Sequence, residues 1–255
     1  MTDKQPWFSE EAGFFGPNYL VEYEETLPNE RTIIEVDFVE KTLNLKPGTK
    51  ILDVHCGHGR HAIELAKRGY DVTGYELNQF FLSEAEKATK EADVSVHFLQ
   101  GDMRELAFDA EFDVALNLFT AMGYFDKDED DVAFLAGVYK SLKSGGQFLI
   151  DFINRDWLIR NFREKDWREL PDGSLLVIER LYEPILGRNT DRRTKVTKDG
   201  VMTDSVGSAL RIYTANELVK MAENVGFTFK EAFGDFEGNP LKLDSRRTIL
   251  HFEKK

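Results

Sequence analysis

Lys50-Ile-Leu-Asp-Val-His-Cys-Gly-His-Gly-Arg-His-Ala62 reads as a strand, a turn and the start of a helix in immediate succession. Ile51, Leu52 and Val54 form a short apolar run of the kind a buried strand needs, and Gly57 and Gly59 mark a tight turn. Residues 60–68 then have helical composition and stop at Gly69. Such a turn leaves the first backbone N–H groups of the helix without partners, and residues without a Cβ let a ligand approach the chain closely. Nucleotide-like ligands are bound in this way at the carboxyl ends of parallel strands.

The alternation continues on both sides. Residues 32–43 carry apolar positions at helical spacing and end at Lys46-Pro47-Gly48. Downstream, 71–76, 94–99, 112–119 and 147–153 are expected strands, and 79–90 is an expected helix. A further helix follows the acidic run Asp126–131, with Val132, Leu135, Tyr139 and Leu142 on one face and Ser144-Gly-Gly146 as its exit turn; the acidic run itself is expected to be a solvated helix entrance. Near Trp167 the pattern changes to short alternating segments at 174–182, 192–198 and 201–210, with Asp199-Gly200 as a hairpin turn. Thr214-Ala-Asn-Glu217 is a capping box for a helix ended by Gly226, and 227–232 and 247–253 complete the strands. Repeated strand–helix units require long crossovers and hence a mostly parallel sheet with helices on both faces. The expected fold is therefore doubly wound α/β with an antiparallel β insertion.

Composition narrows the function. At 255 residues one such domain uses the whole chain. A net charge of −13 opposes a phosphate backbone, whose affinity comes from lysine and arginine releasing counterions, although Arg188, Arg192, Arg193 and Lys195 form a local basic patch. The N-terminus lacks the plan of a signal peptide, no apolar run reaches the roughly 20 residues that span a bilayer, and Cys56 is the single cysteine. A cytoplasmic protein without a membrane segment is expected.

Two more signals fall at successive strand ends. Glu76 closes the second strand about 20 residues after the turn, where a carboxylate takes ribose hydroxyls, and Gly101-Asp102-Met103 follows the third, where a carboxylate and an N–H read an adenine edge. Gly57-His-Gly-Arg-His-Ala62 also satisfies the dinucleotide pattern, so an NAD-dependent oxidoreductase remains open. His55, Cys56, His58 and His61 have metal-binding chemistry but occupy the turn itself, so no metal is expected.

From about Tyr19 to its C-terminus the chain resembles bacterial class I S-adenosylmethionine-dependent methyltransferases. It is most similar to small-molecule N-methyltransferases of the amino-sugar N,N-dimethyltransferase and glycine N-methyltransferase type. The resemblance is carried by Ile51-Leu-Asp-Val-His-Cys-Gly-His-Gly-Arg-His61, Val72-Thr-Gly-Tyr-Glu-Leu-Asn78, Gly101-Asp-Met-Arg-Glu-Leu106, Phe112-Asp-Val-Ala-Leu-Asn-Leu-Phe-Thr120 and Gly123-Tyr-Phe125. It also covers Leu210-Arg-Ile-Tyr-Thr-Ala-Asn-Glu-Leu218 and Gly234-Asp-Phe-Glu-Gly238.

The resemblance implies a Rossmann-like fold with a seven-stranded, mostly parallel sheet, S-adenosyl-L-methionine as cofactor and S-adenosyl-L-homocysteine as product. It puts Gly57, His58 and Gly59 beside the methionine part, with Asp53 anchoring that loop or the amino group. Glu76 is implied on the ribose with Leu77 and Asn78 alongside, Gly101 and Asp102 at the adenine amine, Met103 beside the ring, and Asn117, Leu118 and Phe119 near the sulfonium. His55 stands where the family motif has a further glycine, so the loop conformation there is in question. Tyr19 and Arg31 belong to an N-terminal lid segment, 1–46, and Arg31 is either a partner for the cofactor carboxylate or a solvated charge. The cofactor-binding core is expected at 47–166 and 211–255, with 167–210 as a substrate lid or the contact of a homodimer.

Methyl transfer from a sulfonium is an in-line displacement that needs positioning more than acid–base groups. No catalytic residue stands out, and Tyr23, Tyr124 and Tyr213 are candidates for an aromatic wall around the cation. Asn117-Leu-Phe-Thr120 lacks the Pro-Pro segment of enzymes acting on DNA amines, which with the net charge favours a small-molecule acceptor with an amine, hydroxyl or carboxylate. A cofactor-binding protein without catalysis is the remaining alternative.

Overall fold

The computed structural model describes residues 6–9, 13–23, 26–205 and 207–255, with Ser205 by its backbone alone. Positions 1–5, 10–12, 24 and 25 of the expected lid segment, and 206 of the expected insertion, lie outside the described residues.

Helices α1 (Pro17–Tyr23) and α2 (Asn29–Leu43) lead into β1 (Lys50–Val54), α3 (Arg60–Lys67), β2 (Asp71–Glu76), α4 (Gln79–Glu91) and β3 (His97–Gln100). After a single 3-10 turn at Met103–Glu105 come β4 (Phe112–Asn117), α5 (Asp128–Ser141), β5 (Leu142–Ile153) and α6 (Arg155–Arg160). Five strands form a separate antiparallel sheet: β6 (Lys165–Glu169), β7 (Leu175–Glu183), β8 (Arg188–Val196), β9 (Met202–Ser205) and β10 (Ala209–Arg211). The chain returns through α7 (Ala215–Val225), β11 (Phe227–Phe233) and β12 (Arg247–Lys254).

The main sheet has seven strands in the order β11-β12-β5-β4-β1-β2-β3. Strand β12 runs against both its neighbours, while the pairs from β5 across to β3 are parallel. Side chains alternate between its two faces. Ile51, Leu116 and Leu149 join Val36, Val39, Ala62 and Leu65 of α2 and α3 in one core, while Leu52, Ala115 and Phe148 join Phe134, Leu135, Val138 and Leu218 of α5 and α7 in the other. Each fully buried Val, Ile, Leu or Phe among them contributes roughly 1.5–3 kcal/mol. Between β1 and β4 the strand order reverses, and at that reversal the carboxyl ends of an open parallel sheet leave a crevice.

Several expected boundaries move. The third strand begins at His97 because Asp93 turns left-handed (φ 52°) and Val94 N–H donates back to Thr89, closing α4 instead of starting β3. Leu142 is the first residue of β5, not the end of the α5 face. The 144–146 glycine turn survives as a bulge inside β5, since Phe112 pairs with Leu142 but Val114 with Gln147. Strand β8 starts at Arg188, earlier than its alternation suggested, and Lys165–Glu169 pairs as β6. The capping box at Thr214 and Glu217 forms with both hydrogen bonds.

Over 126–129 the acidic run is the expected solvated helix entrance, but its last residue departs from it. Asp131 is fully buried: it accepts hydrogen bonds from Gly123 N–H at 3.1 Å and the Tyr213 hydroxyl at 2.8 Å, and burial pushes its pKa up to about 6. It joins α5 to the chain entering α7 instead of facing water. Among the described residues no helix is long and apolar enough to cross a membrane.

Candidate active site

At the carboxyl end of β1 the chain turns back under β2. His55 and Cys56 N–H groups both donate to Tyr75 carbonyl oxygen, at 2.7 and 3.2 Å. The turn then needs left-handed backbone at three alternate positions, His55 (φ 63°), Gly57 (φ 57°) and Gly59 (φ 79°). Glycine accepts such a φ freely, whereas a side chain there costs about 1–2 kcal/mol. Where the resemblance implies a glycine, His55 adopts the conformation a glycine would take, histidine being among the types enriched there. Its ring is held edge-on to Tyr124 and Phe15, and Nδ1 lies 3.6 Å from Glu76. At Gly59 a Cβ would stand 3.0 Å from Ala85 and 3.1 Å from Phe98, so the turn and α4 fit only without one.

Glu76 ends β2 with only 2% of its surface exposed. One carboxylate oxygen accepts from Gly57 N–H and the other from Asn78 N–H, each at 2.9 Å. Leu77 is half-buried beside it, and its carbonyl accepts from Gln100. Asn78 caps α4 and donates from Nδ2 to Phe15 carbonyl oxygen at 2.8 Å. Gly101 N–H donates to Glu76 carbonyl oxygen at 3.0 Å, which sets the end of β3 beside the end of β2. Asp102 caps the 3-10 turn through Arg104 N–H and forms an ion pair with the Arg104 guanidinium at 2.6 Å. Burial works to raise the Asp102 pKa, but these bonds to Arg104 hold it below the usual carboxylate range. Met103 is buried in the core.

Asp53, facing the α2 and α3 side of β1, is 2% exposed, and its Oδ2 has no hydrogen-bond partner among the described residues. Burial pushes its pKa up to about 7, with Arg60 pulling down and Glu76 pushing up. Across the turn, Arg60 at the first position of α3 also keeps a buried nitrogen, Nη2, without an acceptor. Its other nitrogen, Nη1, is 2.5 Å from Glu35 Oε2, and the same carboxylate takes Arg31 Nε and His61 Nε2, each at 2.7 Å. Burial would raise the Glu35 pKa, but the His61 hydrogen bond and the charges of Arg60 and Arg31 hold it well below the usual range. Asn117 is fully buried, donates to Val54 carbonyl oxygen at 3.1 Å, and leaves Oδ1 without a donor.

These groups border a cavity of about 50 Å³. Of the residues singled out in the sequence, Tyr19, Asp53, His55, Gly57, His58, Leu118, Phe119 and Tyr124 line it. Gly59, Glu76, Asn78 and Asn117 stand directly behind its wall through the bonds above, while Gly101, Asp102 and Met103 lie at the adjacent strand end. Tyr23 stacks on Tyr19 at 4.3 Å and meets Phe119 edge-on at 6.1 Å. Arg31 stands over the Phe119 ring at 5.1 Å, its charge committed to Glu35, with a further bond to Thr26 carbonyl oxygen. Tyr213 borders a different, much smaller cavity with Thr120, Met122 and Leu218. A wider, open cleft of about 440 Å³ sits at the amino ends of the strands between Leu45, Thr49 and Gln147, away from the turn.

From the N-terminal side Phe15, Tyr19 and Leu27 close the cavity. Phe15 stacks on Tyr124 at 5.8 Å, meets Phe81 at the same distance, and is tied to Asn78 as described. Phe15, Arg60 and Glu35 were not picked out from the sequence. Phe15 offers no signal, but a cation at the first position of a helix runs against the helix dipole and marks Arg60 as serving something other than its own helix. Among the described residues no group of three or more His, Cys, Asp or Glu could hold a metal ion.

A buried carboxylate oxygen of Asp53 and a buried guanidinium nitrogen of Arg60, each without a partner among the described residues, fit a zwitterionic amino-acid end of a ligand, and Glu76 beside the turn fits a sugar next to it. Comparison with known proteins identifies the family. The family pattern of a methyltransferase domain matches residues 51–146. The putative methyltransferase YqeM of Bacillus subtilis (strain 168) is 35% identical over 215 residues, covering 80% of this chain and 84% of its own. Among solved structures, the CcbJ methyltransferase from Streptomyces caelestis superposes with a TM-score of 0.79 at 18% identity, over 92% of this chain and 96% of that one. CalS10 of Micromonospora echinaspora, an amino pentose methyltransferase solved with S-adenosylmethionine bound, gives a TM-score of 0.70 at 19% identity over 95% and 99% of the two chains.

Proposed function

The chain belongs to the S-adenosylmethionine-dependent methyltransferases, and from that membership we propose that it methylates a nucleophilic nitrogen or oxygen of a small molecule. The observation that carries this reading is the pair of buried polar atoms without a hydrogen-bond partner among the described residues, Asp53 Oδ2 and Arg60 Nη2, on either side of the glycine turn. Ionised Asp53 takes the cofactor's α-ammonium and Arg60 its carboxylate, Glu76 takes the ribose hydroxyls, and Asp102 with Met103 takes the adenine. S-adenosylmethionine supplies a methyl group already activated by its sulfonium, so the protein has no bond to polarise.

What remains for the chain is orientation, exclusion of water and protection of the cation. Tyr19 and Phe119 line the cavity as aromatic faces for a positive charge, each such contact being worth about 0.5–2 kcal/mol. His58, also in the wall, is lowered to about 4 by burial and nearby Arg60, so it stays neutral near pH 7 and adds no competing charge. Drug-sized ligands occupy roughly 300–1,000 Å³, so a 50 Å³ cavity requires the Phe15 roof to lift and reclose over the cofactor. The N-terminal segment thereby acts as a lid, and reclosure excludes water from the transferring methyl group.

The test is transfer of labelled methyl from S-adenosylmethionine into a small-metabolite extract. Label in a small-molecule fraction with the wild-type protein, absent with Asp53→Ala, supports the proposal. Donor binding with no transfer in any fraction would reduce the protein to a cofactor-binding module.

A further inference from the structure

Beyond the turn, the mouth of the site is charged in a way its own cofactor does not explain. In a chain of net charge −13, the guanidinium carbons of Arg31, Arg60 and Arg247 stand 5.1, 5.5 and 5.9 Å from the centre of one ring, Phe119. Arg246 precedes Arg247 at the start of β12 and lies over Trp157 at 5.4 Å. Because β12 is antiparallel to β5, these two arginines reach the same sheet edge as the glycine turn.

Three of these four guanidiniums share two carboxylates. Glu35 serves Arg31 and Arg60, and Asp151, 1% exposed, grips Arg247 with both oxygens at 2.7 and 2.6 Å. Asp151 Oδ2 also accepts from Phe119 N–H at 2.9 Å, fixing that ring in a left-handed backbone conformation (φ 67°) followed by a second at Thr120 (φ 61°). Consecutive non-glycine residues held in this way store strain of the kind found at binding sites. Arg246 has no carboxylate partner among the described residues. Its side chain is exposed at the end of the sheet, so water and no carboxylate surrounds its charge, and partial burial with the neighbouring charges of Arg247 and Arg31 lowers its pKa. His61, which borders the cluster, is lowered to about 4 by burial and by Arg60 and adds no charge.

We propose that the methyl acceptor is an organic anion, bearing a carboxylate or a phosphate, whose charge is received by Arg246 with the free N–H groups of Arg31 and Arg247 beside Phe119. The inference rests on the methyltransferase function above. Arg60 is already assigned to the cofactor carboxylate, and the sulfonium adds a further positive charge, so an excess of cation faces the acceptor after the cofactor is bound. An ammonium-bearing acceptor would be repelled. An acceptor carrying both an amine and an anion would be drawn in by the anion, while the surrounding cations favour the neutral, nucleophilic form of the amine. Planar guanidinium forks match carboxylate and phosphate oxygens in pairs, which fixes orientation as well as affinity.

The experiment is calorimetric titration of the protein saturated with S-adenosylhomocysteine, at constant ionic strength, with malonate, with inorganic pyrophosphate and with neutral glycerol. One of the two anions is expected to bind with a millimolar or lower Kd and glycerol not at all. Arg246→Gln should weaken that anion by about fivefold to tenfold, Arg246→Lys should restore part of it, and S-adenosylhomocysteine affinity should stay within about twofold in both. Preference for pyrophosphate assigns a phosphorylated acceptor, and preference for malonate a carboxylic acid. If neither anion binds, or if Arg246→Gln binds them as the wild type does, the proposal is overturned while the cofactor reading stands. If S-adenosylhomocysteine itself fails to bind in the first titration, both fall.

Discussion

Asp53 gives the sharpest prediction because one buried group links cofactor affinity to pH. With a pKa of about 7, it is largely ionised at pH 8 and about 1% ionised at pH 5. If only the ionised form accepts the α-ammonium, the affinity for S-adenosylhomocysteine falls by about 100-fold between those pH values, or about 2.7 kcal/mol, and is flat above pH 8. His58 and His61, both lowered to about 4 by burial and nearby charge, remain neutral across this window and do not contribute. Asp53→Asn should bind roughly 10–100-fold more weakly at pH 8, with the pH dependence gone. The same group opposes folding. Its folded pKa lies above the free value of 3.8, so the native state retains the proton longer than the unfolded one, and stability is lost as pH rises from about 4 to about 7. The loss approaches about 4 kcal/mol, and Asp53→Asn should therefore raise the cofactor-free Tm at pH 8 while weakening binding. Titration calorimetry at pH 5, 6, 7 and 8 reads the first effect and thermal melts the second. Affinity that is constant from pH 5 to 8 would refute the assignment of Asp53 to the ammonium.

Three further perturbations bear on the same site. Glu76→Ala removes the acceptor for Gly57 and Asn78 N–H groups as well as the ribose partner, and S-adenosylhomocysteine binding should weaken more than tenfold in a fluorescence titration. Phe15→Ala removes the centre of the roof: chemical denaturation should show a loss of about 3 kcal/mol, while stopped-flow association of S-adenosylhomocysteine should become faster, and an unchanged rate would mean the roof is not a gate. Gly101→Ala places a Cβ 1.9 Å from the Tyr75 hydroxyl, so Tyr75 must leave its position; a loss of about 1–3 kcal/mol in stability with impaired cofactor binding is expected from the same two assays.

Features that depend on neighbouring residues were legible in the sequence. The strand–turn–helix at 50–62, the acidic end of β2 and the Thr214 cap are local patterns, and each forms where it was read. Their meeting at one sheet edge followed from parallel topology, since parallel strands put all their carboxyl ends on one side. Features built from distant positions were not legible. Glu35 meets His61 across 26 positions and Asp151 meets Arg247 across 96, and nothing in either neighbourhood marks the partnership. Within the acidic run only Asp131 departs from the solvated entrance, because the arrival of Tyr213 and Gly123 makes it an interior group. Likewise, β6 is short, and its alternation gains meaning only from pairing with β7. His55 looked like a departure from the glycine that the resemblance implies, yet it takes the left-handed torsion a glycine would take there, which no local sequence pattern reveals.

The central claim is that the Gly57–Gly59 turn, Glu76 and Asp53 form a site for an adenosyl donor with an amino-acid end and not for a dinucleotide. Parallel calorimetric titrations with S-adenosylhomocysteine and with NAD test it directly. Micromolar binding of S-adenosylhomocysteine and no heat from NAD is the predicted result; NAD binding without S-adenosylhomocysteine binding would contradict it.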